Sequence, residues 1–271
     1  MEQLFFNSSM PQAGSELIQV LLHQNPKVYA SPTSPLLELL YGARSNMELP
    51  EVKSQPKDLM TGAFLNLCYS GAKGYYESIT DRPYIIDKSR GWGHYKEWAD
   101  MFTPSGKSKI ICMVRDMRSI ISHHEKVYRA NRHLPLGPDN PAELQNMTVG
   151  QRAKYWLNTQ PVGLALQRTQ DLFQRGVNED ILFVRYEDLT IQPDIEMKKI
   201  YNYLEIEYFQ HNYDNIKKEV VEDDSWYGPY GSHKVGKKLV PFKNDYEDIL
   251  GKDVSDMVYN STQWYQKTFY N

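Results

Sequence analysis

Short apolar segments alternate along this chain with longer segments that have helical periodicity. Residues 109–114 (KIICMV) read as a buried strand and are followed by a helical pattern over residues 117–129, and residues 181–186 (ILFVRY) form a second such strand. Strands buried on both faces occur in parallel sheets, whose crossover connections are usually helices. The alternation therefore predicts an α/β fold with a central parallel β-sheet flanked by helices.

The same pattern predicts the remaining elements. Strands are expected over residues 4–7, 27–30 and 83–87, and helices from residue 17, over residues 34–41, 59–79, 92–102, 149–175 and 254–269, and after residue 193. Residues 130–147 and 220–245 are irregular and predict loops. Because no repeat or linker divides the chain, we expect a single domain over residues 1–271.

The charge balance limits the ligands that this chain can bind. It has 31 Lys and Arg against 34 Asp and Glu, a net charge of -3, and 41% hydrophobic residues. This composition is that of an ordinary globular protein. With no excess of positive charge, we expect neither nucleic acid nor a membrane surface as a partner. Any anion must be held by a few placed groups.

The compartment is predicted from the cysteines and the apolar segments. Cys68 and Cys112 both lie in apolar stretches, as thiols do in proteins of reducing compartments. The first residues lack a basic segment followed by a long apolar one, and no run of about 18 apolar residues predicts a membrane span. We therefore expect a cytoplasmic protein.

Polar residues cluster where the predicted strands end, which is where parallel sheets bind ligands. The first cluster, residues 9–16 (SMPQAGSE), joins a strand to a helix. Gly14 allows close backbone approach, Ser15 can donate to a phosphate oxygen, and a helix N-terminus attracts anions. The Walker lysine is missing. The alternative is a plain strand–helix turn.

Two further clusters follow the next strands. Lys88 and Arg90 bracket a serine after residues 83–87, as a clamp for an anion would, although solvated surface charges are the alternative. Arg115 leaves the buried strand 109–114, and Ser122 follows on the next helix, so the two can hold a phosphate. His123, beside Ser122, points to another helix face than its neighbours, so no metal site is predicted here.

The last clusters lie nearer the C-terminus. Tyr186 ends the strand 181–186 and can stack on or hydrogen-bond a nucleotide. Residues 231–238 (GSHKVGKK) form a basic, Gly-containing loop, typical either of a lid over an anionic ligand or of an exposed linker. The acidic run at residues 222–224 is expected to form a solvated face, with a docking site for a basic substrate as the minority interpretation.

The order of these clusters resembles a known family. The series SSMPQAGSELIQVLL, YIIDKSRGW, KIICMVRDMRSIISH, ILFVRYEDLTIQPD and GSHKVGKKL is similar to that of sulfotransferases that use 3'-phosphoadenosine 5'-phosphosulfate. The likeness runs from about residue 4 to residue 250 and is greatest to the tyrosylprotein-type and bacterial or phage-type branches. It implies a P-loop-like nucleotide-binding fold.

The resemblance also implies a reaction. The enzyme would transfer a sulfuryl group in line from 3'-phosphoadenosine 5'-phosphosulfate, its cofactor, to an acceptor hydroxyl, and leave adenosine 3',5'-bisphosphate. The acceptor would be a small molecule, a carbohydrate or a peptide, and no metal would be required. A sugar, a phenol and a peptide remain equally open, as does the oligomeric state.

Individual roles follow from the matched positions. Lys88 would contact the sulfonate or bridging oxygen, and Arg90 or Ser232 would assist. The region 220–245 would cover the cofactor. The residues implied to bind the cofactor lie in the first loop, at the 3'-phosphate, beside the adenosine and in the covering segment: Gln12, Ala13, Gly14, Ser15, Glu16, Arg115, Ser122, His123, Tyr186 and Lys234.

The chain departs from the family pattern at three points. Gln12 stands in place of the loop cation and Glu16 in place of the second loop Thr. Either Ser122 or His123 must serve as the 3'-phosphate serine. The general base is unassigned, and the candidates are His94, His123, Asp87 and Glu16.

Two alternatives from other functional classes remain open. The departures at Gln12 and Glu16 favour a catalytically impaired protein that binds a nucleotide or another anion on the same fold. A P-loop kinase is the other alternative, against which the missing Walker lysine argues.

Overall fold

The computed structural model of the chain describes residues 1–101, 103, 105–132, 142–220, 222–227 and 234–270. Their centre is a parallel five-stranded sheet in the order β2-β3-β1-β4-β5. The strands are β1 (Gln3–Asn7), β2 (Val28–Thr33), β3 (Tyr84–Lys88), β4 (Ile110–Val114) and β5 (Ile181–Arg185). The predicted α/β fold with a parallel sheet is therefore confirmed.

Helices connect and cover the strands. In chain order they are α1 (Ser15–His23), α2 (Leu36–Ser45), α3 (Pro50–Lys53), α4 (Lys57–Glu77), α5 (Lys96–Met101), α6 (Met117–Asn131), α7 (Val149–Asn158), α8 (Val162–Gln174), α9 (Tyr186–Ile191), α10 (Pro193–Leu204), α11 (Tyr246–Leu250), α12 (Lys252–Ser261) and α13 (Gln263–Tyr270). Short 3-10 turns occur at Asn46–Glu48, Ala142–Asn146, Val177–Asp180 and Asp224–Tyr227.

Two predicted helices are each divided in the structure. The long helix expected over residues 149–175 is wrong, because α7 ends at Asn158 and α8 begins at Val162. Pro161 lacks an N–H and disfavours helical backbone at the residue before it, so a continuous helix cannot pass this point. The helix expected over residues 254–269 is likewise two helices, α12 and α13, which meet at Thr262.

The sheet is the middle of one hydrophobic core. All five residues of β4 are buried, and in β1 only the first residue is partly exposed. The Trp92 ring packs on Phe6 with 4.4 Å between ring centroids. No helix within the described ranges is both long and apolar enough to cross a bilayer.

The strand order decides which polar residues become neighbours. Lys88, the last residue of β3, is in register with Thr33 of β2 on one side and with Asn7 of β1 on the other. Beyond β1 come β4 and then β5, which end at Val114 and Arg185. Because all the strands are parallel, the segments that follow them lie along a single edge of the sheet.

Candidate functional site

The loop after β1 runs along this edge before α1 begins. The backbone N–H groups of Ser8 and Met10 donate to the carbonyl groups of Ile111 and Met113, so the loop continues beside β4. Gln12 has a φ of 55° and Gly14 a φ of 88°, both left-handed, and these turn the chain into the helix.

At the end of this loop the backbone passes very close to the ring of Tyr186. A Cβ atom on Gly14 would lie 2.5 Å from Cδ2 of Tyr186, so only glycine allows the backbone so near the ring. Gly14 is also the N-cap of α1 and supplies no side-chain acceptor to the first turn. The amide groups at this helix N-terminus are therefore suited to bind an anion.

Arg115 joins the loop to Tyr186. Its guanidinium carbon lies 4.7 Å from the centroid of the Tyr186 ring and 5.4 Å from that of Phe242. Nη1 donates to the carbonyl oxygen of Gln12 at 3.0 Å. Nε is buried and has no hydrogen-bond partner among the described residues. A guanidinium whose Nε is buried and unused is a place where an anionic group would be stabilised.

The structure distinguishes Ser122 and His123, the two residues of α6 that are candidates for binding a phosphate. The Ser122 hydroxyl is buried and donates to the carbonyl oxygen of Ser119 at 3.1 Å. Burial, followed by the charges of Arg115 and Lys126, lowers the pKa of His123 to about 4. His123 is therefore neutral at pH 7 and near Arg115, whereas the Ser122 hydroxyl bonds to its own helix.

A network of alternating charges surrounds Lys88. Its side chain is only 7% exposed, and Nζ forms an ion pair with Glu16 of α1 and lies 3.7 Å from Oε2 of Glu222. Lys218 completes the network, with Nζ 2.7 Å from Glu16 and 3.4 Å from Glu222. Burial lowers the pKa of Lys218, but the two carboxylates outweigh it and raise this pKa above its ordinary value. Two carboxylates thus balance two ammonium groups at the end of β3.

Asp87, next to Lys88, has a structural role. It is fully buried and accepts hydrogen bonds from Ser34 and Trp92, both at 2.5 Å, and from the Tyr76 hydroxyl. Burial raises the pKa of Asp87 although these three donors oppose the shift. Its carboxylate links Ser34, just before α2, together with α4 and Trp92 to β3, and so holds the backbone that carries Lys88.

Arg90 and His94 lie just after this strand end. The Arg90 side chain is exposed, while its carbonyl oxygen accepts from the Ser8 hydroxyl at 3.0 Å. Nδ1 of His94 lies 3.4 Å from Oδ2 of Asp171 on α8. The structure therefore directs His94 toward α8, whereas Glu16 and Lys88 meet in the charge network.

The C-terminal segment reaches the site partly through residues that the sequence did not single out. Lys234 is exposed, and Ser232 lies outside the described residues. Phe242 packs on both Arg115 and Tyr186. No periodic or motif signal distinguishes it.

Glu222 is the main difference from the sequence-based expectation. A solvated face was expected for residues 222–224, but the Glu222 side chain is only 6% exposed and Oε1 accepts from the Thr33 N–H at 2.6 Å. The prediction is wrong for this residue because Glu222 meets two lysines that lie at distant positions in the sequence. Asp223, its neighbour, is exposed as expected.

Comparisons with known proteins were made for the sequence and for the fold. The sulfotransferase family model matches residues 5–210. The fold is similar to that of sulfotransferase STF9 from Mycobacterium avium, with a TM-score of 0.53, 14% identity, and coverage of 99% of this chain and 77% of that one. It is also similar to the sulfotransferase domain of the olefin synthase from Synechococcus PCC 7002, with a TM-score of 0.50, 18% identity, and coverage of 99% and 95%. A search of curated proteins gives no match.

Proposed function

Because this chain belongs to the sulfotransferase family, we propose that it transfers a sulfuryl group from 3'-phosphoadenosine 5'-phosphosulfate to an acceptor hydroxyl. The observation that carries the proposal is the order of groups along the sheet edge. Tyr186 and Arg115 follow β5 and β4, the loop ending at Gly14 follows β1, and Lys88 ends β3. An elongated nucleotide with charges at both ends would meet an aromatic ring, a guanidinium, a helix N-terminus and an ammonium in turn.

The residues present fit such a donor. Arg115 is held in place by Gln12 and two aromatic rings, and its buried Nε is available for the 3'-phosphate. Neutral His123 would stand beside it without adding charge. The amide groups at the start of α1 would hold the 5'-phosphate, as helix N-termini hold phosphates generally.

Lys88 would act on the transferred group. Reactions of this kind need the reactants in line and the charge on the leaving phosphate stabilised. The ammonium of Lys88 is buried at the end of β3, and β3 lies next to β1, from which the loop proposed to hold the 5'-phosphate continues. It would therefore meet the sulfonate and the bridging oxygen. The bound donor supplies the activated sulfuryl group, and this chain supplies orientation and positive charge.

A second candidate function keeps nucleotide binding without efficient transfer. The Glu16 carboxylate pairs with Lys88 and so occupies the position that an anionic sulfonate would take. If this pair does not open, the protein binds a nucleotide or another anion without reacting. Transfer of radiolabelled sulfate to any member of a broad acceptor panel would exclude this candidate.

Binding of adenosine 3',5'-bisphosphate tests the donor site. We expect isothermal titration calorimetry to detect binding, and Arg115→Ala to weaken it about 10- to 150-fold, since a hydrogen bond to a charged group contributes about 1.5–3 kcal/mol.

Arg44→Ala is the matched control for this titration. Arg44 also lies over an aromatic ring, with its guanidinium carbon 5.4 Å from the Trp98 centroid, but on α2 and α5. This variant should bind as the wild type does. No binding to the wild type at high protein concentration would overturn the proposed function.

A further inference from the structure

We propose that Glu222 is the general base that removes the proton from the acceptor hydroxyl. The assignment rests on the proposed sulfotransferase function and names a residue outside the strand-end clusters. The sequence left the base open among four residues, and the structure engages three of them elsewhere.

Three of those residues are engaged elsewhere. The Asp87 carboxylate already accepts three hydrogen bonds and is fully buried. His94 faces Asp171 on α8. His123 lies near Arg115, which follows β4, two strands away from Lys88 in the sheet order.

Glu16, the fourth, pairs with Lys88 and Lys218 and directly follows the proposed donor loop. It belongs to the first turn of α1, directly after the loop proposed to hold the 5'-phosphate. With the donor bound as proposed, this carboxylate would stand next to the leaving 5'-phosphate.

Glu222 reaches Lys88 from the end of β2. Its Oε1 accepts from the Thr33 N–H at the end of β2, and its Oε2 lies 3.7 Å from Lys88 Nζ. In the sheet, β3 lies between β1, which leads into the donor loop, and β2, which holds Glu222. Lys88 is in register with a residue of each.

In-line transfer determines where the acceptor hydroxyl must lie relative to the donor. The leaving and attacking oxygens lie on opposite sides of the transferred group, as in phosphoryl transfer. If the donor lies on the β1 side of Lys88, the acceptor hydroxyl comes from the β2 side, where the Thr33 N–H of β2 holds Glu222 within 3.7 Å of Lys88 Nζ.

The proton balance is then complete. A lone pair of the acceptor oxygen forms the new bond to sulfur, and the bond between sulfur and the bridging oxygen breaks, leaving its electron pair on the 5'-phosphate. The acceptor proton moves to Oε2 of Glu222, which later releases it to water. Lys218, 3.4 Å from Oε2, and the Thr33 N–H keep the carboxylate oriented while Lys88 contacts the sulfonate.

Glu222→Gln tests the assignment, because the amide oxygen can still accept from Thr33 N–H but the side chain cannot take a proton. General acid–base catalysis typically contributes about 10²- to 10⁴-fold. We expect a rate loss in this range with acceptors that are un-ionised at the assay pH, including water in hydrolysis of the donor. An electron-poor phenol that is already ionised should lose far less.

Asp223→Asn is the matched control. Asp223 belongs to the same acidic run, is exposed, and its carboxylate accepts from the N–H and the hydroxyl of Ser225. Its rates should equal those of the wild type. Binding of adenosine 3',5'-bisphosphate and the melting temperature, measured for both variants, report separately on the donor site and on folding.

The outcomes separate the two proposals. Absent nucleotide binding by the wild type overturns the proposed function itself. If the wild type binds the nucleotide but neither transfers nor hydrolyses, or if Glu222→Gln keeps its rate, the base assignment is wrong. An equal loss with ionised and un-ionised acceptors would also overturn it, since this would indicate a structural role.

Discussion

Replacing Glu16 with Gln should tighten nucleotide binding although it removes an ion pair. In the structure the Glu16 carboxylate contacts both Lys88 and Lys218 and is 13% exposed. An anion that binds to Lys88 must approach this carboxylate or displace it. The neutral amide of Gln has nearly the same shape and removes the repulsion.

The expected gain follows from the distances. Two anions that share one ammonium, each about 2.8 Å from it, lie about 5 Å apart. Coulomb repulsion at that separation is about 3 kcal/mol for an effective dielectric constant of about 20 and about 1 kcal/mol in water. Because Glu16 is largely buried, we expect a value within this range, which corresponds to an affinity roughly 5- to 150-fold higher.

Isothermal titration calorimetry with adenosine 3',5'-bisphosphate measures the effect. The difference between the variant and the wild type should shrink as salt is added, because salt screens the repulsion. Glu38→Gln is the control, since it also removes an acidic residue from the first turn of a helix, α2, but from an exposed position.

Two results would contradict this reasoning. An unchanged affinity in Glu16→Gln would mean that the carboxylate leaves the site without cost when the nucleotide binds. A weaker affinity would mean that Glu16 orders Lys88 and Lys218 for binding, so that the ion pair supports the ligand site and does not compete with it.

The remaining predictions concern turnover and acid stability. Lys88→Met should lower turnover about 10²- to 10³-fold, as loss of a group that stabilises transition-state charge does, and change nucleotide affinity less. Lys109→Met, just before β4 at the opposite end of the strands, is the control, and an unchanged rate would remove Lys88 from the reaction. Burial, aided by neighbouring positive charge, lowers the pKa of His123 to about 4 and that of His124 to about 3 from the ordinary 6.5. As the pH falls, the unfolded chain therefore takes up protons on these two histidines before the folded chain does. The free energy of unfolding should fall as the pH drops from about 6.5 to 4, by about 2 kcal/mol for each histidine at pH 5. Urea unfolding at pH 8 and pH 5 measures the loss, His123→Gln should reduce it, and equal stabilities at the two pH values would contradict the assignment.

The strand ends could be located from local patterns alone. Apolar runs that stop at a polar residue mark the ends of β3 and β4: Arg115 directly follows β4 as predicted, and Lys88, predicted to follow β3, is its last residue. The parallel fold follows from the same runs, because strands buried on both faces need helices on both sides. Helix division was harder to predict, since the periodicity over residues 149–175 continues past Pro161.

The contacts between distant segments could not be predicted. Glu222 and Thr33 are 189 residues apart, and nothing in the acidic run at residues 222–224 distinguishes the buried carboxylate from its exposed neighbour. Phe242 and Lys218 likewise reach Arg115 and Glu16 only because the C-terminal segment crosses the edge of the sheet.

The sequence by itself thus determined the class of fold, the positions of the strand-end groups and a family resemblance, because each depends on neighbouring residues. Only the tertiary structure decided the order of those groups along the sheet and the partners of each charge. Strand order depends on how the chain crosses over, and it places Lys88 between β1 and β2. That position lets the ammonium meet both Glu16 of α1 and Glu222, which the Thr33 N–H of β2 holds.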